Sequence, residues 1–200
     1  MIYKKMNSNL NKNFWEQKYI NEETGWDLGT ISTPIKEYAN QLTNKELRIL
    51  IPGAGNGYEA AYLHAQKFTN INVIDIAHQP LKNLKERVPS FSKSNLIHDD
   101  FFNHTNKYNL IIEQTFFCAL HPTLRKRYVE KMASLLEKKG KLVGLLFDFN
   151  LTEEGPPFGG SSNEYLQLFS SDFSIKTLDR CHNSIKPRFG RELFFIFEKK

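Results

Sequence analysis

Three closely spaced glycines, Gly53, Gly55 and Gly57, follow a short apolar run, which is typical of a loop that approaches a ligand through its backbone. The run, residues 48–51, predicts a buried strand, and a predicted helix after the glycines would offer free N–H donors. Asp75 ends the next apolar run, 22 residues after Gly53, where a carboxylate can accept both ribose hydroxyls. Together these residues predict a site for an adenosine-containing cofactor. A plain tight turn and a solvated strand end are the alternatives for each part taken alone.

A second group, Asp99-Asp100-Phe101-Phe102, follows the third predicted strand, where the adenine of such a cofactor would lie. An aspartate there can accept the adenine amino group, and a phenylalanine can pack against the ring; simple core packing is the alternative for the phenylalanines. The same pattern serves nicotinamide dinucleotides. A chain of 200 residues is too short, however, for a nucleotide domain plus a separate dehydrogenase domain. The residues therefore favour S-adenosylmethionine as the cofactor.

The elements that must position these residues alternate between strands and helices, which predicts a mostly parallel sheet with helices on both faces. The last two strands have no helix between them, so they form a predicted hairpin that makes one C-terminal strand antiparallel. The predicted fold class is therefore α/β, Rossmann-like, with a seven-stranded sheet. The predicted strands are 48–51, 72–76, 94–97, 108–113, 141–149, 173–181 and 192–198, and the main predicted helices are 58–68, 80–88, 122–138 and 163–169.

Length and composition indicate one domain over residues 14–200, preceded by a polar tail, residues 1–13, that we expect to be disordered. The net charge of +5 comes from scattered basic residues, so no nucleic-acid partner is expected. No apolar stretch approaches the ~18–20 residues of a membrane span, so no membrane partner is expected. Cys118 and Cys181 form no paired motif, which favours a reducing compartment. We therefore expect a cytoplasmic monomer that acts on a small molecule.

The remaining polar residues lack the spacing that metal or nucleophilic chemistry requires. The histidines show no metal-ligand spacing, so no metal is expected. Cys118 lies between apolar neighbours, which favours a buried inert thiol over a nucleophile. Arg188 and Arg191, in the loop between the last two strands, are candidates for attracting an anion. A solvated basic loop is the alternative.

Six segments of the chain together resemble the thiopurine S-methyltransferase family, including its plant and bacterial thiol/halide methyltransferase branch. The two tryptophan segments, the TFFCALHP segment and the GPPF loop carry this resemblance more specifically than the glycine loop does. It covers nearly everything from Phe14 onward. The segments are FWEQKY (14–19), GWDLG (25–29), IPGAGNGY (51–58), DDFF (99–102), TFFCALHP (115–122) and GPPF (155–158).

The resemblance implies the fold of class I S-adenosylmethionine-dependent methyltransferases and suggests roles by position. Within residues 14–46, the two tryptophan segments match a lid that folds over the cofactor. Core anchoring of the tryptophans is the alternative. Together with the assignments above, the predicted cofactor contacts are Trp15, Tyr19, Trp26, Gly53, Gly55, Asp75, Asp100, Phe101 and Gln114. The predicted acceptor contacts are Trp26, Phe117, Phe158 and Arg188.

Two positions depart from the family pattern. Gln114 stands where the family often has tyrosine or arginine. At the position of Phe158, the plant halide enzymes resemble one another in that they share a tyrosine. Phe158 lacks its hydroxyl, which argues against halide as the main acceptor.

The function that the resemblance implies is methyl transfer from S-adenosylmethionine to a small thiol or related soft anion: a thiol, bisulfide, thiocyanate, halide or thiopurine. Such nucleophiles are anionic, or nearly so, near neutral pH. The absence of an evident catalytic dyad therefore predicts catalysis by positioning and desolvation, with no catalytic residue. Methylation of a nucleic acid or another large acceptor, and non-catalytic binding of S-adenosylmethionine, are the alternatives.

Overall fold

Seven strands form one sheet in the computed structural model, which describes residues 10–200. The strands are β1 (Ile49–Pro52), β2 (Ile71–Asp75), β3 (Leu96–His98), β4 (Tyr108–Gln114), β5 (Leu136–Phe147), β6 (Phe173–Arg180) and β7 (Glu192–Lys199). Their order across the sheet is β3-β2-β1-β4-β5-β7-β6. β1 to β5 pair in parallel, and β7 is antiparallel to both β5 and β6. This confirms the predicted fold class, including the single antiparallel strand contributed by the C-terminal hairpin.

Helices cover both faces of the sheet, as the alternation predicted. The α-helices of the described chain are α1 (Lys12–Ile20), α2 (Thr33–Asn40), α3 (Tyr58–Ala65), α4 (His78–Arg87), α5 (Arg125–Leu135) and α6 (Ser162–Phe169). Because side chains alternate along a strand, β1 directs Leu50 to one face and Ile49 and Ile51 to the other. The face of Leu50 packs under α5 and α6, through Tyr128 and Phe169. The opposite face packs under α2, α3 and α4.

The boundary between α5 and β5 differs from the prediction, in which the helix ran to Lys138 and the strand began at Lys141. The strand instead begins at Leu136, which is buried and pairs with Tyr108 of β4. Lys139 then adopts a left-handed conformation, with φ of 62°, and the pairing with β4 shifts register before it resumes at Lys141. The apolar pairing of Leu136 with β4 therefore outweighs the local preference of this lysine-rich segment for helix.

The first helix begins before the predicted end of the polar tail. Lys12 and Asn13 are helical, and the Asn11 side chain caps α1 by accepting a hydrogen bond from the Phe14 N–H at 3.0 Å. The predicted disordered tail is therefore wrong at its last two positions. Residues 1–9, the main part of that prediction, lie outside the described residues.

α1 has no buried residue, and hydrogen bonds to Glu16 attach it to the rest of the fold. The Glu16 carboxylate accepts hydrogen bonds from the backbone N–H of His78 at 2.5 Å and of Gln79 at 3.3 Å. Those N–H groups belong to the first turn of α4, whose own N-cap, Ala77, provides no side-chain acceptor. This contact places α1 at the carboxyl edge of the sheet, where α4 begins.

The described residues contain neither a membrane-spanning helix nor a cluster of metal ligands. No helix among residues 10–200 has the length and apolar character needed to cross a membrane. Within the same range, no cluster of three or more His, Cys, Asp or Glu could hold a metal ion. Cys118 and Cys181 are both buried and free.

Candidate active site

A cavity of about 550 Å³ follows the carboxyl edge of the sheet, and its volume is within the range of small-molecule sites. The strand order places one cavity residue from each parallel strand in a row: Asp100 after β3, Asp75 at β2, Gly53 after β1, Gln114 at β4 and Phe147 at β5. Neighbouring strands are ~4.8 Å apart, so this row is roughly 20 Å long. The cavity can therefore hold an extended ligand with chemically different parts over successive strands.

The glycine loop and Asp75 lie together, as the sequence predicted. Gly53 has φ of 56° and Gly55 has φ of 51°, a region that glycine enters without steric cost. The Asp75 carboxylate accepts hydrogen bonds from the backbone N–H of Gly55 at 3.0 Å and of Ala77 at 2.9 Å. Burial raises the pKa of Asp75 to about 6. Each carboxylate oxygen keeps a lone pair that could accept a ribose hydroxyl.

The two tryptophan segments, residues 14–19 and 25–29, lie over this loop. The Trp26 ring makes edge-to-face contacts with Trp15 at 5.5 Å and with Tyr19 at 5.8 Å, and all three side chains line the cavity. A Cβ at Gly55 would lie 2.9 Å from the Tyr19 hydroxyl, so a side chain at this position would displace the Tyr19 ring. Burial and the nearby Asp75 carboxylate raise the pKa of Tyr19, which keeps the phenol neutral.

The predicted adenine side of the cavity combines carboxylates with aromatic rings. The Asp100 carboxylate accepts the Phe102 N–H at 2.9 Å, and the Asp99 carboxylate accepts the Asp100 N–H at 2.7 Å. Phe101 is buried, and its ring lies 5.2 Å from that of Phe116 in an edge-to-face contact. All five residues line the cavity, so an aromatic base could meet both ring surfaces and hydrogen-bond acceptors here.

A polar cluster over β1 and β4 joins the predicted Gln114 to Ser32 and Glu59, two residues that the sequence analysis missed. The Ser32 hydroxyl donates a hydrogen bond to Gln114 Oε1 at 2.8 Å, and Gln114 Nε2 has no partner in the described chain. Glu59, in the first turn of α3, also lines the cavity, and the backbone N–H groups of Glu59 itself and of Ser32 favour its ionised form. Burial raises the pKa of Glu59 to about 7. An acid in the apolar first turn after the glycine loop could have signalled Glu59, whereas nothing local marks Ser32.

Arg188 lies at the far end of the cavity, beyond β4. Arg188 Nη2 donates a hydrogen bond to the Trp26 carbonyl oxygen at 2.7 Å. Its Nη1 lies 3.6 Å from a Glu192 carboxylate oxygen and makes no hydrogen bond within the described chain. The rest of this wall is apolar and consists of Cys118, Ala119, Leu120, Phe147, Pro156 and Pro157. The structure therefore places Arg188 in the cavity. Because its side chain is buried, the alternative of a solvated basic loop is excluded for this residue.

Cys118 belongs to this apolar wall, and its thiol is not activated. Burial raises the pKa of Cys118, and the Glu113 carboxylate adds to that effect. The thiol donates a hydrogen bond to the Thr115 carbonyl oxygen at 3.3 Å. This agrees with the interpretation of Cys118 as a buried inert thiol.

Two predicted acceptor contacts, Phe117 and Phe158, do not line the cavity and must be corrected. Phe117 points into the core beneath α5 and α6, with its ring 4.9 Å from that of Tyr128. Phe158 is buried against His121, at 5.6 Å between ring centroids. Phe116 reaches the cavity instead of Phe117, because successive residues of the short turn after β4 point in different directions. Phe158 therefore gives no structural reason to disfavour halide as an acceptor.

The charge of the cavity is opposite to that of the chain. Five acids and a single basic residue line it among the described residues: Asp27, Glu59, Asp75, Asp99, Asp100 and Arg188. An acidic lining favours a positively charged ligand and opposes the anionic pyrophosphate of a dinucleotide. S-Adenosylmethionine has a sulfonium and an ammonium group, so the lining fits it well.

The fold and the site together define a class I S-adenosylmethionine-dependent methyltransferase. Solved structures with this fold include 1,6-didemethyltoxoflavin-N1-methyltransferase from Burkholderia thailandensis, with a TM-score of 0.77 and 14% identity over 96% of this chain and 88% of that chain. Magnesium protoporphyrin IX methyltransferase from Synechocystis, solved with bound S-adenosylmethionine, has a TM-score of 0.71 and 13% identity over 94% of this chain and 97% of that chain.

The sequence model of the thiopurine S-methyltransferase family matches residues 10–199, and the chain belongs to that family. Probable thiol methyltransferase 2 of Arabidopsis thaliana is 26% identical over 197 residues, which cover 96% of this chain and 87% of the relative. Thiocyanate methyltransferase 1 of the same plant is 26% identical over 89% of this chain and 81% of its own length. The thiopurine S-methyltransferase of Acinetobacter baylyi is 25% identical over 82% of this chain and 86% of its own length. The methyl donor is accordingly S-adenosylmethionine, and S-adenosylhomocysteine is the product.

Proposed function

We propose that this methyltransferase methylates a small thiol, in its thiolate form, and that bisulfide, thiocyanate, halides and thiopurines are related acceptors to be ranked by experiment. The observation that carries the proposal is the buried Arg188 guanidinium, whose Nη1 has no hydrogen-bond partner, in an otherwise apolar wall. The relatives named for thiol, thiocyanate and thiopurine methylation support the same acceptor class.

The surroundings of Arg188 favour a soft anion over a strongly hydrated one. Glu192 lies 3.6 Å from Arg188 Nη1, so much of the positive charge is offset. The residual attraction would suffice for a weakly hydrated thiolate, which loses little on leaving water, but not for a phosphate or carboxylate. Phe147, Pro156 and Pro157 would exclude water around the nucleophile.

Catalysis would then depend on position more than on proton transfer. The donor supplies a methyl group already activated on a positive sulfur. We propose that Asp75 holds the ribose, that Asp100 and Phe101 hold the adenine, and that Gly53, Gly55 and Gln114 contact the methionine part, which extends from the ribose toward β1 and β4. None of the six histidines lines the cavity, so no imidazole is positioned as a base. We therefore expect the rate to rise with pH until the acceptor thiol is ionised, since only a few per cent of a free thiol is ionised at pH 7.

We propose that the two tryptophan segments act as a lid within residues 14–46. Trp15, Tyr19 and Trp26 cover the glycine loop, and Glu16 attaches α1 to the first turn of α4. Polar attachment of an element without buried residues is compatible with opening and closing. The two free, buried cysteines support the proposal of a reducing, cytoplasmic location, and we propose that the enzyme acts as a monomer.

A turnover panel tests the proposed acceptor. The purified protein is incubated with S-adenosylmethionine and, separately, with bisulfide, thiocyanate, iodide, an aryl thiol and a thiopurine, and S-adenosylhomocysteine and the methylated product are quantified. Turnover of the thiols above the other acceptors supports the proposal. Cofactor binding without turnover of any member would refute it in favour of a larger acceptor or a binding role.

The role of Arg188 is tested by Arg188→Gln. Loss of one hydrogen bond to a charged group should raise KM for the acceptor about 10- to 100-fold, with a smaller effect on S-adenosylmethionine affinity. Arg191→Gln is the matched control, because Arg191 lies in the same loop but stacks at 4.5 Å on Phe149, outside the cavity. Equal increases of the acceptor KM in both variants would contradict the assignment.

A further inference from the structure

Glu59 is a buried carboxylate at the middle of the cavity that the proposed methyl transfer does not use. It is 7% exposed, yet it lines the cavity from the first turn of α3. Backbone N–H groups, its own and that of Ser32, favour its ionised form. No Lys, Arg or His of the described chain lies within ion-pair distance of it. The carboxylate is therefore buried without a cationic side chain of its own, which is costly unless a ligand supplies the charge.

The neighbours of Glu59 increase this need for a positive charge. Asp27 also lines the cavity, and its negative charge acts against ionisation of Glu59. Arg188 acts in the opposite direction, but it is already engaged by Glu192 and by the Trp26 carbonyl oxygen. Burial holds the pKa of Glu59 near 7, so a bound cation would favour the ionised form.

The position of Glu59 along the row of strand ends selects which part of the donor it faces. Asp75 ends β2, and the two strands that follow across the sheet are β1 and β4. Glu59 follows β1 by way of the glycine loop, and Ser32 links it to Gln114 at the end of β4. With the ribose at Asp75, the group that extends toward β1 and β4 is the methionine end of the donor. That end has an ammonium and a carboxylate.

We propose that Glu59 binds the ammonium group of the donor's methionine end, while the unpartnered Gln114 Nε2 faces its carboxylate. Ser32 couples the two, because its backbone N–H favours the ionised form of Glu59 and its hydroxyl donates a hydrogen bond to Gln114 Oε1. That second bond leaves Gln114 Nε2 as the free end of the amide, which is the donor a carboxylate requires. Glu59 and Gln114 thus form a complementary pair for an α-amino acid. This inference concerns the methyl donor and is independent of the acceptor.

The test compares Glu59→Gln with the wild-type protein by calorimetric titration of three ligands at pH 8. S-Adenosylhomocysteine has the amino acid end, its deaminated analogue lacks only the ammonium, and 5′-methylthioadenosine lacks the whole end. We expect Glu59→Gln to weaken S-adenosylhomocysteine binding about 10- to 100-fold, the range for a hydrogen bond between charged groups. Binding of the other two ligands should change less than threefold.

Glu113→Gln is the matched control, because Glu113 is also buried and also has a pKa raised to about 7, but does not line the cavity. It should affect all three ligands equally. If Glu59→Gln does not fold, Glu59→Asp serves, since it keeps the charge but withdraws it; it should also weaken S-adenosylhomocysteine selectively. Equal loss of all three ligands, no loss of any, or a change in the acceptor KM alone would overturn the assignment of Glu59.

Discussion

Replacement of Asp75 by asparagine removes one charge from the middle of the cavity while keeping the shape of the side chain. The carboxylate accepts the Gly55 and Ala77 N–H groups, and we expect it to accept two ribose hydroxyls as well. Asparagine keeps one acceptor oxygen and directs an NH₂ group toward one of those N–H donors. At least one charge-assisted hydrogen bond to the ribose is therefore lost, together with the charge that strengthens the other.

The expected size of the effect follows from these contacts. A hydrogen bond to a charged group contributes ~1.5–3 kcal/mol, and the two ribose bonds share one carboxylate, so their contributions do not add fully. We expect a loss of about 3 kcal/mol, equivalent to about 100-fold weaker binding of S-adenosylhomocysteine. The comparison belongs at pH 8, because burial raises the pKa of Asp75 to about 6 and the wild-type carboxylate must be ionised.

The assay is calorimetric titration of wild-type and Asp75→Asn protein with S-adenosylhomocysteine and with an analogue that lacks the 2′ and 3′ hydroxyls. The wild-type protein should bind the analogue about as weakly as the variant binds the natural ligand. The variant should discriminate little between the two ligands. An Asp75→Asn affinity within threefold of wild type, or an unchanged preference for the hydroxylated ligand, would refute the ribose assignment.

Two further predictions concern the glycine loop and the buried acid beneath the site. Gly55→Ala should weaken S-adenosylhomocysteine binding at least tenfold, because its Cβ would lie 2.9 Å from the Tyr19 hydroxyl at φ of 51°. Gly29→Ala is the control, because Gly29 also has a positive φ, of 68°, but a Cβ there would meet nothing within 4 Å and the residue does not line the cavity. Equal effects of the two substitutions would contradict the role of the Tyr19 contact. Burial raises the pKa of Glu113 from 4.5 to about 7, so its ionisation destabilises the folded state progressively from about pH 4.5 upward, by about 3 kcal/mol above pH 7. Glu113→Gln should therefore gain stability relative to wild type between pH 5 and pH 8 in denaturant titrations, and a pH-independent difference would count against the raised pKa.

Much of the fold and of the cofactor side could be predicted because the relevant signals are local. The run before Gly53, the glycine loop and the apolar run before Asp75 each specify an element over a few residues. Parallel strands then bring their carboxyl ends to one edge, so Gly53 and Asp75 had to be neighbours once the sheet formed. The boundary at Leu136 failed because a non-local pairing with Tyr108 outweighed local helix preference.

The sequence by itself determined the fold class, the family and the donor-binding edge, since these depend on periodicity, turn residues and short motifs. Only the tertiary structure decided which aromatic residue faces the cavity: Phe116 does, whereas Phe117 and Phe158 enter the core. It also brought Ser32, Glu59 and Gln114 together, although they are far apart in the chain. The physical reason is that side-chain direction in a turn, and contact between distant segments, follow from the packing of the whole chain, which no local pattern encodes.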